Sequence, residues 1–168
     1  MDRQQLTHTI EKLRELCIAN DIQIAVAESL TAGSIGASLA SVSGISDCFV
    51  GGVIAYSNAL KGTLLEVSDE VLNDHSAVSQ LCAEQMARGV AKLCHTRAAL
   101  AVTGEAGPRS QTGKKVGTVW IAVTVDDQVV AREFIFEGSR NEIREQTTDV
   151  AITLLYETLL SPPPGKLE

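Results

Sequence analysis

Apolar residues recur at helical spacing near the start of the chain, at Leu6, Ile10, Leu13 and Cys17, and this predicts an amphipathic helix over residues 3 to 19 that ends near Asn20-Asp21. The period then changes. IQIAVA at 22 to 27 is a short apolar run fit for a buried strand, and Ile35, Leu39 and Val42 restore helical spacing until Gly44 closes the helix. CFVGGVIAYS at 48 to 57 predicts a second buried strand. Ser57 or Asn58 can cap the short helix that follows, which carries Lys61 and Leu64-Leu65. Ser68 can cap a further short turn, and Ser79 a helix running through Met86, Val90 and Leu93.

AALAVT at 98 to 103 predicts a third strand. GTVWIAVTV and VVAREFIF flank Asp126-Asp127-Gln128 as a β-hairpin would. Ser139 with Glu142 forms a capping-box pattern for a last helix whose face is Ile143, Thr147, Val150, Leu154 and Leu159. Helical and strand periods alternate along the chain, and the hairpin forces an antiparallel pair. The predicted fold is therefore a three-layer α/β/α sandwich with a mixed, mostly parallel sheet. With no internal repeat or linker in view, residues 1–160 read as one domain and 161–168, with its three prolines, as a flexible tail.

Composition narrows the chemistry. Of the 168 residues 45% are hydrophobic but only 4% aromatic, so the core must be built of Ala, Val, Ile and Leu. A formal net charge of −7 opposes the broad positive field of a nucleic-acid binder, while leaving room for a small anionic ligand held by a few amides and one or two cations. The N-terminus lacks the apolar segment of a signal peptide. FVGGVIAY, the longest apolar stretch, falls short of the ~20 residues that span a bilayer. A cytoplasmic protein away from membranes is expected. Cys17, Cys48, Cys82 and Cys94 form no CxxC pair and read as reduced thiols, and Cys94-His95 has no second ligand pair at zinc spacing. Neither a metal nor an organic cofactor is expected.

The candidate chemistry lies where strands meet helices, because ligands of open α/β sheets bind beyond the carboxyl ends of the strands. AESLTAGS at 27 to 34 is such a corner. Ser29 there is either a nucleophile, its oxyanion held by N–H groups of Thr31, Ala32 and Gly33, or else Ser29 or Thr31 simply caps the helix. A serine nucleophile needs a base. His8, His75 and His95 are poorly placed, whereas YSNALK puts Tyr56 at a strand end and Lys61 in the next helix, toward the same sheet edge. Lys61 would have to lose about three units of pKa to serve near neutral pH; otherwise it is a solvated surface lysine. The third strand runs into TGEAGP, which lacks Walker A spacing but allows backbone contacts to a ligand. Among the nearby cations Arg109, Lys114, Lys115, Arg140 and Arg144, Arg140 is the best placed for an anionic group.

The pieces AES-x-T-x-G, GGVIAYSN-x-x-K, AVS, AVTG-x-AGP, VGTVWIAV and G-x-R-x-x-IR, in this order, resemble the CinA C-terminal domain family across nearly the whole chain. That family includes nicotinamide mononucleotide deamidases with the same three-layer fold. The resemblance implies hydrolysis of nicotinamide mononucleotide to nicotinic acid mononucleotide and ammonia. Ser29 would be the nucleophile, Lys61 the base and Tyr56 its helper. Thr103, Gly104 and Gly107 would line the pocket, and Arg140 would meet the anionic end. The chain departs from the family pattern in three places. ESLTAG stands for ESCTGG, HSAVS for HGAVS, and TGEAGP for TGIAGP, followed by fewer glycines. A methyl at Ala32 obstructs the backbone if that position needs positive φ, and Glu105 could repel a phosphate, point away, or hold Lys61 as ammonium. Two further readings follow: a non-catalytic relative that binds a nucleotide or a protein, and a serine amidase for another small amide. The strands leave a homodimer open.

Overall fold

The computed structural model describes residues 2–161; all of the expected tail except Ser161 lies outside them. Five strands, β1 (Ile24–Glu28), β2 (Phe49–Ile54), β3 (Ala98–Gly104), β4 (Thr118–Val125) and β5 (Gln128–Ile135), form one sheet in the order β2-β1-β3-β4-β5. β1 pairs parallel with β2 and β3, and β4 pairs antiparallel with β3 and β5, so four strands share one direction and β4 alone is reversed. Helices α1 (Arg3–Ala19), α2 (Ser34–Ala40) and α5 (Arg140–Leu160) contribute to the core on one face of the sheet; α3 (Asn58–Leu65) and α4 (Gln80–Cys94) pack on the other. This is the expected α/β/α sandwich.

The two faces differ in side-chain size because strand residues alternate sides. Ile24, Val26, Leu100, Val102, Ile121 and Val123 point toward α1, α2 and α5, whereas Ala25, Ala27, Ala99, Ala101 and Ala122 face α4. Small residues let α4 lie close to the sheet. α3 and α4 approach each other just as closely: a Cβ on Gly89 of α4 would strike the Leu65 carbonyl of α3. That contact fixes the height of α3, and with it the place of Lys61.

Local signals set the boundaries. Asp2 and Ser139 build capping boxes for α1 and α5, and Ser57 and Ser79 cap α3 and α4. The Ser68 hydroxyl accepts from Val71 N–H at the head of a single helical turn, Val71–His75. The expected strand at 48 to 57 ends at Ile54: β1 itself ends at Glu28, whose carbonyl takes one last bond from Ala55 N–H, and Ser57 already caps α3. Similarly, β1 starts only at Ile24, because Ile22 N–H closes the end of α1 on Cys17. The hairpin turns on Asp126-Asp127 alone, at φ 45 and 67, the left-handed pair that matches strand twist. Gln128 already pairs with Val125.

Two of the departures from the family pattern carry left-handed backbone. Ala32 lies at φ 51, and Ser76 at φ 79 with ψ 148, close to a region that only glycine occupies freely. Reverting each to glycine relieves this strain against the higher chain entropy of glycine. Ala32→Gly is expected to gain about 0.5 kcal/mol and Ser76→Gly about 1 kcal/mol or more, read as melting temperatures raised by about 1–4 °C. A fall in melting temperature for Ser76→Gly would contradict the assignment.

Candidate active site

β1, β2 and β3 all run toward one end of the sheet, and the chain leaving them builds a cavity of about 210 Å³. Its wall includes Ser29 after β1, Tyr56 and Lys61 after β2, Thr103, Gly104 and Gly107 at and after β3, and Arg140 at the start of α5. Seven of the residues picked out from sequence therefore come together. Thr31, Ala32 and Gly33 do not reach this wall.

At its centre Lys61 Nζ lies 3.1 Å from Ser29 Oγ and donates to the Ala55 carbonyl, also at 3.1 Å. Lys61 is only 2% exposed and Ser29 8%. Far from a solvated surface lysine, the amine is buried, and among the described residues no carboxylate bonds to it. Burial therefore holds its pKa below the ordinary 10.5, with the Cys82 thiol opposing slightly. The Cys82 thiol on α4 is itself pushed up to about 11 by its burial. An uncharged Lys61 can donate one N–H to Ala55 and turn its lone pair to the Ser29 hydroxyl.

The expected capping role of Ser29 or Thr31 belongs to another residue. Glu28, buried at the end of β1, accepts from the N–H groups of Gly33 (2.9 Å), Ile35 (3.1 Å) and Gly36 (2.8 Å). Its carboxylate occupies the positive end of α2 that an anionic ligand would otherwise use. This is why Gly33 is no oxyanion donor: its amide is already bonded. Ala32 N–H is bonded too, to the Ser29 carbonyl, and Thr31 is fully buried. The signal was in the sequence as a carboxylate between strand and helix, but a glutamate reaching five to eight residues forward follows no short capping pattern.

Tyr56 is displaced from its expected role. It is 54% exposed on the rim, where its hydroxyl accepts from Arg140 Nη2 at 2.6 Å, and no hydrogen bond among the described residues joins it to Ser29 or Lys61. Just past the end of β2, Ala55 is buried and lends its carbonyl to Lys61, while Tyr56, the next residue, is turned to the rim. Arg140 Nη1 also donates to the Gly107 carbonyl at 2.7 Å, bridging the ends of β2 and β3. Thr103 ties β3 to the segment before α4 through the Ala77 carbonyl at 2.6 Å.

Glu105 points away from Lys61. Its carboxylate gathers the following loop, accepting from Ser110 Oγ, from the N–H of Gln111 and from both N–H and Oγ1 of Thr112, at 2.7–3.3 Å. Arg109, Gln111 and Thr112 of this loop then line the cavity. Burial raises the Glu105 pKa, but these donors together outweigh it, and the net effect is to hold the carboxyl below its ordinary 4.5. A carboxyl lowered in the folded state stabilises fully above its ordinary pKa and loses that contribution as pH falls through the lowered value. The amide resonances of Gln111 and Thr112 should thus titrate with a midpoint below 4.5 and stay flat in Glu105→Gln. A midpoint at or above 4.5 would contradict the assigned contacts.

Residues 6–159 match the CinA C-terminal domain family. A putative competence-damage inducible protein of Oceanobacillus iheyensis is 39% identical over 139 residues, 82% of this chain and 33% of that one. A CinA-like protein of Dictyoglomus turgidum is 39% identical over 152 residues, 90% of this chain and 37% of its own length. The chain thus spans about a third of the length of these relatives. Among solved structures, the competence damage-inducible protein A of Klebsiella pneumoniae superposes with a TM-score of 0.90 at 29% identity, covering 94% of this chain and 99% of that one. The competence/damage inducible protein CihA of Agrobacterium tumefaciens does so with 0.82 at 32% identity, covering 91% and 96%. By sequence over most of its length and by architecture, the chain belongs to the CinA C-terminal domain family.

Proposed function

We propose that this protein is a serine amidohydrolase that deamidates nicotinamide mononucleotide. One observation carries the reading: a buried lysine, with no carboxylate partner among the described residues, in contact with a serine on the wall of a cavity. Neutral Lys61 accepts the Ser29 hydroxyl proton while Oγ attacks the carboxamide carbon. The protonated amine then returns that proton to the departing nitrogen, ammonia leaves, and an ester to Ser29 remains. Water attacks the ester with Lys61 again taking the proton, releasing the free acid and restoring Ser29–OH. The sum is amide plus water to acid plus ammonia.

Charge around the cavity supports an anionic substrate. Arg109 and Arg140 line it, while Glu105, the one carboxylate on its wall among the described residues, is turned into its own loop. Both arginines are exposed, and in this reading they would meet the phosphate of a nucleotide whose carboxamide lies against Ser29. Tyr56 serves in this reading as a rim residue that orients Arg140, a departure from the helper role the resemblance implies.

The cavity itself favours a second reading. At about 210 Å³ it is smaller than the ~300 Å³ at which sites for drug-sized ligands begin, and the Glu105 loop fills part of it. A serine amidase for a smaller amide fits that volume.

Ammonia release from nicotinamide mononucleotide, from its dephosphorylated riboside and from nicotinamide separates the two. The first reading expects turnover of the mononucleotide to exceed that of the riboside at least tenfold, and Ser29→Ala and Lys61→Ala to lower kcat by about a thousandfold or more. Activity should rise with pH as Lys61 loses its proton. Turnover surviving in either variant would remove the proposed chemistry; turnover of small amides alone would move the assignment to the second reading.

A further inference from the structure

Arg144 lies outside the cavity wall, yet it makes more bonds to the serine turn than any residue of the wall. It sits one turn along α5 from Arg140, and its guanidinium reaches across to the chain just after Ser29. Nε donates to the Leu30 carbonyl at 3.0 Å, and Nη2 donates to the Thr31 carbonyl at 2.9 Å and to Ser34 Oγ at 3.3 Å. Nη1 is steadied by the Asn141 side chain at 3.4 Å, and Ser34 Oγ donates to the same Thr31 carbonyl at 2.8 Å.

In a trans peptide the carbonyl and the next N–H point in opposite directions. The Thr31 carbonyl faces Arg144, and the N–H on the other edge of that peptide, from Ala32, accordingly returns to the Ser29 carbonyl. The Leu30 carbonyl also faces Arg144, on the α5 side of the sheet. The N–H of Thr31 is therefore turned away from Arg144; Thr31 is fully buried and outside the cavity wall, whereas Leu30 lines it. Among the described residues, neither that N–H nor that of Leu30 has a backbone partner. Glu28 holds the far end of the same turn through Gly33, Ile35 and Gly36.

We propose that Arg144 is a positioning residue for the nucleophile: by gripping two consecutive carbonyls it fixes the peptide planes of the turn after Ser29, and with them the place of the Ser29 hydroxyl against Lys61. This rests on the serine-nucleophile reading above. Arginine suits the task because its planar fork can hold two neighbouring acceptors at once, whereas a lysine at the same place holds only one.

The test uses two readouts on the whole chain with Arg144→Ala and Arg144→Lys: amide turnover, and the rate at which a fluorophosphonate probe labels Ser29, with Ser29→Ala as the blank. Both are measured well below each variant's melting temperature. Arg144→Ala is expected to slow labelling and lower kcat by about 100-fold, with KM within about threefold and the midpoint of the pH profile unchanged. Arg144→Lys should recover part of the loss. If Arg144→Ala fails to fold, the lysine variant decides: intermediate labelling with unchanged KM supports the assignment, and wild-type labelling overturns it. Wild-type rates in the alanine variant, or a loss that appears only in KM, would also overturn it. No labelling of wild-type Ser29 would instead strike the serine-nucleophile reading on which this one stands.

Discussion

An amine buried away from solvent, with no carboxylate beside it among the described residues, is the constraint around which this molecule is arranged. Lys61 is 2% exposed, and its hydrogen-bond partners are the Ser29 hydroxyl and the Ala55 carbonyl, both neutral. A carboxylate in that place would bind the proton more tightly and end any use of the lysine as a base. The fold excludes one by geometry. Glu28 is adjacent in sequence to Ser29 but is drawn to the head of α2, and Glu105 is on the cavity wall but is drawn into its loop. The burial that depresses the Lys61 pKa depends in turn on α4 lying close against alanines of the sheet and on Gly89 admitting the Leu65 carbonyl of α3.

The remaining charges near the site act as ties between segments distant in sequence. Arg140 joins the end of β2 to the loop after β3, and Arg144 joins α5 to the turn after β1. Both stand in the first turns of α5, whose capping box at Ser139 and Glu142 fixes where the helix begins. One helix terminus thus ties together the ends of β1, β2 and β3. Loops that carry chemistry usually need such support, since few of their own backbone groups pair locally.

Periodicity made the scaffold legible before any coordinates. Ser57, Ser79 and Ser139 marked helix starts, Asp126-Asp127 marked the hairpin, and the change of period after residue 19 separated α1 from β1. Ser29 and Lys61 could also be found, because each sits where a strand passes into a helix and those corners gather at one sheet edge. Harder to read were groups acting through long side chains or through the backbone. Glu28 caps a helix from the preceding strand, Arg144 reaches residues 110 to 114 positions away, and the Ala55 carbonyl has no side-chain signature. Proximity in sequence to Lys61 could not show that the Tyr56 hydroxyl would meet Arg140 at the rim. Ala32 and Ser76 show the converse: their left-handed backbone was foreshadowed by glycines in the family pattern.

The proton on Lys61 can be followed directly. In protein labelled with 13C at the lysine ε-carbon, the resonance missing from Lys61→Met identifies the group, and its shift against pH gives the midpoint. A midpoint below 10.5 is what desolvation without a counter-charge predicts. A midpoint at or above 10.5 would mean that the amine is solvated or paired, and would contradict the account.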